Sequence, residues 1–263
     1  MKITIFEFEG PCVPINIELD DGISSSVCFV VDRREEVFNE PAFIDADYKV
    51  YVAKESFPYS KSDTWIPFHQ NNFDFVLTTQ LSLLERMSDR TYYLPFATSW
   101  CKSIDDRPTT KEKQFSVSFM PGSKFIPEFE GHYARKQIYY ALNNDLLKTS
   151  ADVQLFHPEN WVDNKEDIFD GFQYSIIVEN CVASGWFTEK LLDPMMRMTV
   201  PIYRGAPDVS PVFNEKGILA FQTGDQLVQV LSDLDAGLYQ EMVPYLEENY
   251  KIAKGLAART PKL

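Results

Sequence analysis

The sequence predicts an α/β fold with two halves, and three observations support that prediction. Short apolar runs typical of β-strands alternate with helical segments along most of the chain, and this alternation is the pattern of layered α/β domains. A polar, Pro-containing segment of mixed charge, 101–113, interrupts the alternation and is the predicted linker. With 263 residues, the chain is long enough for two small domains, 1–110 and 111–263.

The first half begins with a strand-like run and a stretch rich in Pro, Gly, Asp and Ser. The alternating sequence MKITIFEFE predicts a first strand, and residues 10–26 indicate a loop. A helical segment, LSLLERM at 81–87, separates the last two strands. The predicted strands of this half are 1–9, 26–32, 48–53, 73–77 and 92–96.

The second half shows the same alternation. Apolar positions at helical spacing predict a helix over 134–147, and residues 168–172 indicate a short helical piece. A further helix of about ten residues begins at Glu189, and a proline inside it predicts a kink or an early end. The amphipathic stretch 225–257 predicts two helical pieces, the second beginning at Pro244. The predicted strands are 115–120, 153–156, 174–180 and 199–205.

The composition argues against several classes of protein. A formal net charge of −14 disfavours nucleic acid and anionic membranes as partners, because like charges repel over long range. No signal-peptide pattern and no run of about twenty apolar residues occurs, so we expect a cytoplasmic protein without a transmembrane segment. The four cysteines lack CxxC spacing, which favours buried thiols over a zinc site. The chain contains no P-loop, G-x-G-x-x-G or G-x-S-x-G motif.

Two basic residues stand where helices are predicted to begin. Lys190 follows Glu189 in the first turn of a helix that Thr188 is placed to cap. A lysine is unfavourable at that end of a helix unless the ammonium and the helix amides share an anion. Arg135 lies near the start of the helix predicted at 134–147, where a guanidinium suits bidentate contact with phosphate. For both residues, a solvated surface cation is the alternative that the residues alone leave open.

Other positions also have a functional and a structural interpretation. Glu55 follows the strand 48–53, where it is placed to act as a general base or to occupy a solvated turn. Trp186 is placed to stack on a base or a sugar, or to belong to the core. Asp45 and Asp47 form a DxD triplet similar to a metal-binding motif, although a solvated loop is the better interpretation of a triplet that precedes a strand.

The run 174–205 forms a longer pattern. A strand ends in the pair EN, a small-residue loop and an aromatic pair follow, TEK begins a helix, and VPIYRGAP follows it. This pattern resembles the donor-binding signature of the α1,3-fucosyltransferases, glycosyltransferase family 10. Arg135 in ARKQIYYALNN and Glu55 in YKVYVAKES match weaker family features upstream. The residues that match the signature are Glu179, Asn180, Trp186, Thr188, Glu189, Lys190, Val200, Pro201, Gly205, Ala206 and Pro207.

The resemblance implies a fold of the GT-B type, with two facing Rossmann-like domains and the active site in the cleft between them. Domain 1–110 would lie on the acceptor side, and domain 111–263 would bind the nucleotide sugar. The implied reaction is the inverting transfer of L-fucose from GDP-β-L-fucose to a glycan hydroxyl. No tightly bound cofactor and no divalent metal would be required.

The resemblance also implies a role for individual residues. Glu55 would be the general base, while Arg135 and Lys190 would stabilise the leaving GDP. Glu189 would contact the ribose or the sugar, and Asn180 would bind the nucleotide or order the loop. The implied donor-binding residues are Arg135, Asn180, Trp186, Glu189 and Lys190.

Two departures from the signature and two alternative functions accompany this interpretation. Trp186 stands where many relatives have Tyr, so stacking is kept and a hydroxyl donor is lost. Cys181 occupies a position that is usually Ser or Thr. The first alternative is a transferase of the same fold that uses another nucleotide sugar. The second is a catalytically silent module that binds a nucleotide sugar or a glycan.

Overall fold

The computed structural model describes residues 2–6, 12–16, 26–32, 35–55, 61–95, 98–102, 105–157 and 162–259. The chain forms two compact units, Met1–Pro95 and Phe96–Leu263, each with its own sheet. Both sheets are mainly parallel, and helices connect their strands. The predicted α/β class with two sheet-containing halves is confirmed.

The first unit holds a six-stranded sheet of order β2-β1-β3-β4-β5-β6. β1 pairs with β2 in antiparallel fashion, and all other neighbouring strands are parallel. Most side chains of β4 are buried, as expected for a strand with elements packed on both faces of its sheet. The strands are β1 (Lys2–Phe6), β2 (Cys12–Asn16), β3 (Ser26–Val31), β4 (Tyr48–Ala53), β5 (Phe75–Thr78) and β6 (Thr91–Tyr93).

β2 corrects the sequence prediction, which placed Cys12–Asn16 in a loop. Pro14 lowers the strand propensity of this segment, because proline cannot donate a hydrogen bond to the sheet. β2 lies at the edge of the sheet and pairs with β1, a position where the missing donor is tolerated. Residues 17–25, also predicted as loop, lie outside the described residues.

An aromatic core holds the first unit together. The ring of Tyr51 in β4 lies 5.3 Å from that of Phe73 and 5.4 Å from that of Trp65. The Tyr51 hydroxyl and the Ser62 hydroxyl are 2.7 Å apart and share a hydrogen bond. This cluster fixes β4 and therefore the loop that follows it. The α-helices of the unit are α1 (Pro41–Ile44), α2 (Ser62–His69) and α3 (Leu81–Arg86).

The second unit holds a five-stranded parallel sheet of order β11-β10-β9-β7-β8. β9 is the central strand, and every residue after its first is buried. This nearly continuous burial is typical of a parallel strand covered on both faces. The strands are β7 (Gln114–Phe119), β8 (Asp152–Leu155), β9 (Phe172–Val178), β10 (Val200–Arg204) and β11 (Leu219–Ala220).

Two helices of the second unit begin at residues other than those predicted from the sequence. α4 begins at Glu130 rather than at Ala134, so Arg135 lies in its second turn. α7 begins at Ala236, and Pro244 lies inside it rather than at its start. Burial of Leu246 and its neighbours against the core offsets the hydrogen bond that the proline removes. The helices are α4 (Glu130–Asn143), α5 (Glu189–Met196), α6 (Gly224–Asp233) and α7 (Ala236–Arg259).

The boundary between the units lies before the predicted linker. The second unit begins at Phe96. The hydroxyl of Ser99 and the N–H of Trp100 donate to Asp193 Oδ1 in α5, at 2.8 and 3.1 Å. These bonds attach residues that precede position 110 to the second unit. The division at residues 110 and 111 into an acceptor-side and a donor-binding domain stays a prediction.

Two expectations from composition can be compared with the described residues. Cys28, Cys101 and Cys181 are buried, as predicted for most of the thiols. Within the ranges given above, none of the helices has the length and apolar character needed to cross a membrane.

A buried lysine stabilises the turn that leads into β9. Residues 168–172 were predicted as helical, but a 3₁₀ turn ends at Ile168 and β9 starts at Phe172. Lys113, which is 5% exposed, packs against this turn. Its Nζ lies within 2.8–3.1 Å of four oxygens, which share its hydrogens: the carbonyls of Phe169, Asp170 and Phe172 and the hydroxyl of Thr199. The carbonyls converge on the ammonium instead of aligning along a helix axis.

We expect Lys113→Met to lower the free energy of unfolding of the second unit by about 1–3 kcal/mol, because it removes the buried hydrogen bonds that Nζ donates, among them the one to the Asp170 carbonyl. Urea unfolding followed by tryptophan fluorescence measures the change. Lys111→Met is the matched control, since Lys111 is exposed, and it should change the value by less than about 0.5 kcal/mol. Equal effects of the two substitutions would contradict the assignment.

Candidate functional site

The second unit carries a polar cluster at the carboxyl end of β9. Glu179 directly follows this strand and is fully buried, at 0% exposure. Its Oε1 accepts the N–H of Thr188 at 2.9 Å, and its Oε2 accepts the Thr188 hydroxyl at 2.7 Å. These bonds attach the start of α5 to the end of the central strand.

Thr188 also caps α5, as the sequence predicts. Its Oγ1 accepts the N–H of Lys190 at 3.3 Å. The Nζ of Lys190 lies 3.0 Å from Glu189 Oε1 and 3.9 Å from Glu179 Oε2. The Lys190 side chain is 24% exposed. The ammonium is therefore partly buried and paired with carboxylates, and it is not the solvated surface cation of the alternative interpretation.

The first turn of α4 packs directly on the backbone that follows β9. The N–H of Gly131 donates to the carbonyl of Asn180 at 2.9 Å. A Cβ atom at Gly131 would lie 1.8 Å from the carbonyl oxygen of Glu179. Only glycine permits this approach, and the contact sets the register between α4 and β9.

Arg135 reaches the same point from the second turn of α4. Its Nη2 donates to the side-chain oxygen of Asn180. Its Nε donates to the carbonyl of Gly131 at 3.3 Å, and its Nη1 donates to the carbonyl of Pro121 at 3.4 Å. The structure thus brings Arg135 and Asn180, 45 positions apart in sequence, into contact. All of these partners are neutral oxygens, so none of them neutralises the guanidinium charge.

A cavity of about 170 Å³ adjoins the cluster and is lined by Arg135 and Lys190. A third cation, Lys165, comes from the 3₁₀ turn before β9. This volume is below the roughly 300 Å³ of the smallest typical ligand pockets, so it suits one charged end of a larger ligand. The other residues that line the cavity are Met120, Gly122, Ile168, Phe169 and 175–178.

The charges of Lys190 and Glu189 stabilise each other, whereas the charged form of Glu179 is disfavoured. Burial raises the pKa of Glu179. Although burial opposes the change, Glu189 and Glu179 raise the pKa of Lys190. Lys190 in turn lowers the pKa of Glu189 against the effect of burial. Lys190 and Glu189 are therefore both ionised at neutral pH.

Trp186 lies away from the cavity lining. It is 2% exposed, and Cys181 is 4% exposed. This burial favours the structural alternative for Trp186, in which the indole packs inside the protein. Its role in donor binding stays a prediction.

Glu55 belongs to the first unit, directly after β4. Asp32, which follows β3 and is 2% exposed, accepts the N–H of Lys54 at 3.0 Å and that of Glu55 at 3.1 and 3.2 Å. Gln80 Nε2 donates a hydrogen bond to the Glu55 carbonyl at 3.4 Å. The backbone of the predicted general base is therefore held at both its amide and its carbonyl.

The DxD triplet has a structural role. Asp47 Oδ2 accepts the N–H and the hydroxyl of Ser26 at 2.7 and 3.0 Å, and these bonds lower the pKa of Asp47. Asp45 ends α1, and its backbone N–H bonds to that helix. No group of three or more His, Cys, Asp or Glu side chains within the described ranges is placed to hold a metal ion. Whether the protein requires a metal stays untested.

The sequence resembles a curated enzyme over part of its length. The chain is 34% identical over 120 residues to the α-(1,3)-fucosyltransferase FucT of Helicobacter pylori, across 45% of this chain and 23% of that protein. The chain is therefore α1,3-fucosyltransferase-like. The match spans only about a quarter of the relative's length. No protein-family model matches the chain.

Solved structures support the fold of this fucosyltransferase-like chain. A crystal structure of an α1,3-fucosyltransferase has a TM-score of 0.55 at 16% identity and covers 89% of this chain and 78% of that one. A structure of α1,3-fucosyltransferase with GDP-fucose gives 0.54 at 16% identity, over 92% and 80%. A UDP-forming α,α-trehalose-phosphate synthase from Burkholderia vietnamiensis gives 0.54 at 10% identity, over 88% and 69%. At these identities the likeness shows the fold, and it confirms the predicted class.

Sequence patterns assign no individual role to three residues around the cluster in the second unit, or to Asp32, which bonds the Glu55 amide in the first unit. Glu179 was recognised only as part of the signature, although a carboxylate directly after an apolar strand is itself a signal. Gly131 lies four residues before Arg135, where a glycine indicates close packing of backbones. The neighbours of Lys165 and Asp32 are determined by the folded structure, and no local sequence pattern indicates them. The four residues are Asp32, Gly131, Lys165 and Glu179.

The stability of the first unit should depend on the ionisation of Asp32. Burial, opposed by the Glu55 and Lys54 amides and reinforced by the Glu55 charge, raises the pKa of Asp32 from 3.8 to about 7. The folded state therefore binds a proton that the unfolded chain releases, and this stabilisation is lost as pH rises from 3.8 through about 7. We expect a loss on the order of 2–4 kcal/mol over this window.

The measurement compares wild type with Asp32→Asn by urea unfolding at several pH values from about 4 to about 8. The difference in free energy of unfolding between the two proteins should change across this window, because asparagine does not titrate. Parallel pH dependences of the two proteins would show that Asp32 keeps an ordinary pKa.

Proposed function

We propose that the protein is an inverting fucosyltransferase that moves L-fucose from GDP-β-L-fucose to a glycan hydroxyl. The observation that carries this proposal is the bonding of Arg135 to Asn180, with Arg135 and Lys190 both lining a cavity at the last residues of the central strand of a fucosyltransferase-like chain. Ligands of open parallel sheets bind beyond the carboxyl ends of the strands, and this cluster lies there. The likeness to α1,3-fucosyltransferases, including one with GDP-fucose, supports the choice of donor.

The cluster supplies positive charge where a nucleoside diphosphate would leave. As the bond between the anomeric carbon and the phosphate oxygen breaks, negative charge grows on the pyrophosphate. Arg135 and Lys190 would stabilise that charge more in the transition state than in the ground state, which accelerates the reaction. Lys165, which lines the same cavity, would add to this field.

Glu55 would act on the acceptor. Its carboxylate takes the proton of the acceptor hydroxyl while that oxygen attacks the anomeric carbon on the face opposite GDP. One bond forms and one breaks in a single displacement, so the configuration inverts and the β-linked donor gives an α-fucoside. Glu189 would hydrogen-bond the ribose or the sugar, and Asn180 would bind or order the nucleotide site.

A donor panel tests the function. The protein is incubated with a set of oligosaccharide acceptors and with GDP-fucose, GDP-mannose or UDP-sugars, and release of the nucleotide is measured. Preference for GDP-fucose supports the proposal. Preference for another donor supports a different transferase of the same fold, while GDP binding without transfer or donor hydrolysis supports a silent binding module.

We expect Glu55→Gln to lower the transfer rate by about 10²–10⁴-fold, the usual contribution of a general base. GDP affinity should stay within about twofold of wild type, because the proposed role of Glu55 concerns the acceptor. Initial rates and calorimetric titration with GDP measure the two quantities. Glu85→Gln is the matched control, since Glu85 is an exposed carboxylate of the same unit. A variant that keeps wild-type rates would remove Glu55 from the mechanism.

We expect Lys190→Met to weaken GDP binding by about 10- to 100-fold, the range for one hydrogen bond to a charged group. Methionine keeps the apolar stem of the side chain, is one heavy atom shorter, and removes the charge. Lys148→Met, at an exposed position of the same unit, should bind GDP as the wild type does. Unchanged affinity in the Lys190 variant would show that the ammonium serves only its carboxylate neighbours.

A further inference from the structure

His132 is a buried group to which the proposed mechanism assigns no step. It is the third residue of α4 and is 5% exposed. Its Nδ1 accepts the backbone N–H of Ile126 at 2.8 Å. A backbone N–H can only donate, so Nδ1 carries no proton and the neutral ring holds its proton on Nε2.

The proton on Nε2 points at the side chain of Asn180. Nε2 of His132 lies 3.3 Å from Asn180 Oδ1, the atom that also accepts Nη2 of Arg135. Two donors that converge on one atom require the oxygen of the amide there, because the nitrogen would oppose both of them. The backbone N–H of Ile126 therefore fixes the tautomer of the imidazole, and the imidazole together with Arg135 fixes which way the Asn180 amide faces.

We propose that His132 is a positioning residue which orients the Asn180 amide and thereby holds the Arg135 guanidinium at the cavity for an anionic diphosphate ligand. This inference rests on the proposed function, since it concerns the same binding site. The oxygen of Asn180 is committed to the two donors, so the amide nitrogen keeps its hydrogens directed away from them. All of these contacts are made by groups of the protein itself, and pre-organisation of this kind lowers the cost of binding.

The neutral ring is the form that the surroundings favour. A protonated Nδ1 would face the N–H of Ile126, so the existing hydrogen bond would become a repulsion. The ring also faces Arg135 on its own helix, Lys190 on α5 and Lys124 in the loop before α4. Burial, with these cations, lowers the pKa of His132 below 6.5. Acid should therefore disturb the orientation of Asn180.

Two substitutions separate the two contacts of the ring. Glutamine places an amide near the position of Nε2 and can still donate to Asn180. Asparagine places its amide near the position of Nδ1 and can still accept from Ile126, but it does not reach Asn180. Both lose the packing of the ring, so each is a control for the other. Circular dichroism confirms that each variant is folded at the temperature of the binding experiment.

Calorimetric titration with GDP gives the deciding order of affinities. We expect His132→Gln to stay within about twofold of wild type and His132→Asn to bind about five- to tenfold more weakly, the effect of one lost hydrogen bond. Equal losses of GDP affinity in the two variants would show that His132 contributes packing alone. Weaker binding by His132→Gln than by His132→Asn would show that the contact with Ile126 is the important one. Either result overturns the proposal. If the wild type binds no GDP, the proposed function fails before His132 is tested.

A pH series separates positioning from charge. GDP-fucose is the probe, because its diester diphosphate does not titrate near pH 6 as the terminal phosphate of GDP does. Between about pH 7.5 and pH 5, we expect the affinity of wild type to fall relative to that of His132→Gln. A relative gain of wild type in acid would show that the imidazolium acts as an additional cation for the ligand, and this would overturn the proposal. Imidazole ¹⁵N NMR reports the tautomer directly, and a proton on Nδ1 at neutral pH would also contradict it.

Discussion

The buried carboxylate of Glu179 is the interaction on which the site depends. A carboxylate at 0% exposure is costly unless its oxygens are bonded and a counter-charge lies nearby. The amide and hydroxyl of Thr188 bond both oxygens, and Lys190 lies 3.9 Å away. Because the same threonine caps α5, satisfying the carboxylate also determines where that helix starts. The position of Lys190 follows from the end of β9.

Two glycines allow other elements to approach this strand end. A Cβ at Gly131 would lie 1.8 Å from the Glu179 carbonyl, and a Cβ at Gly205 would lie 2.7 Å from its Cγ and 2.1 Å from the Tyr203 hydroxyl. The start of α4 and the end of β10 therefore pack against Glu179 from different directions. The backbone of Asn180, the next residue, is held against the start of α4 because its carbonyl accepts the N–H of Gly131. This explains how Arg135 meets Asn180 in the second turn of a helix that begins earlier than its apolar pattern predicts.

The parts of the structure that the sequence predicted are those that depend on local pattern. The run YSIIVEN is apolar enough to identify β9, and Thr188 before an acidic residue identifies the helix cap. The strand at Cys12–Asn16 was missed because pairing with β1, a tertiary contact, outweighs the low propensity of a proline-containing segment. The link from Ile126 through His132 to Asn180 was missed for a related reason. It joins a loop, a helix and a strand end, and no spacing in the sequence encodes it.

The two main cations of the cluster differ in how much charge they can offer. Lys190 lies 3.0 Å from the Glu189 carboxylate, so an anionic ligand must share it with a charge that is already present. The described contacts of Arg135 are to neutral oxygens of Gly131, Pro121 and Asn180, which orient the guanidinium without cancelling its charge. The charges of Glu179 and Glu189 also act on Arg135, although the groups that hydrogen-bond the guanidinium and hold it in place are dipoles. The neutral state of the amide and imidazole around Arg135 is therefore as important to anion binding as the cations themselves.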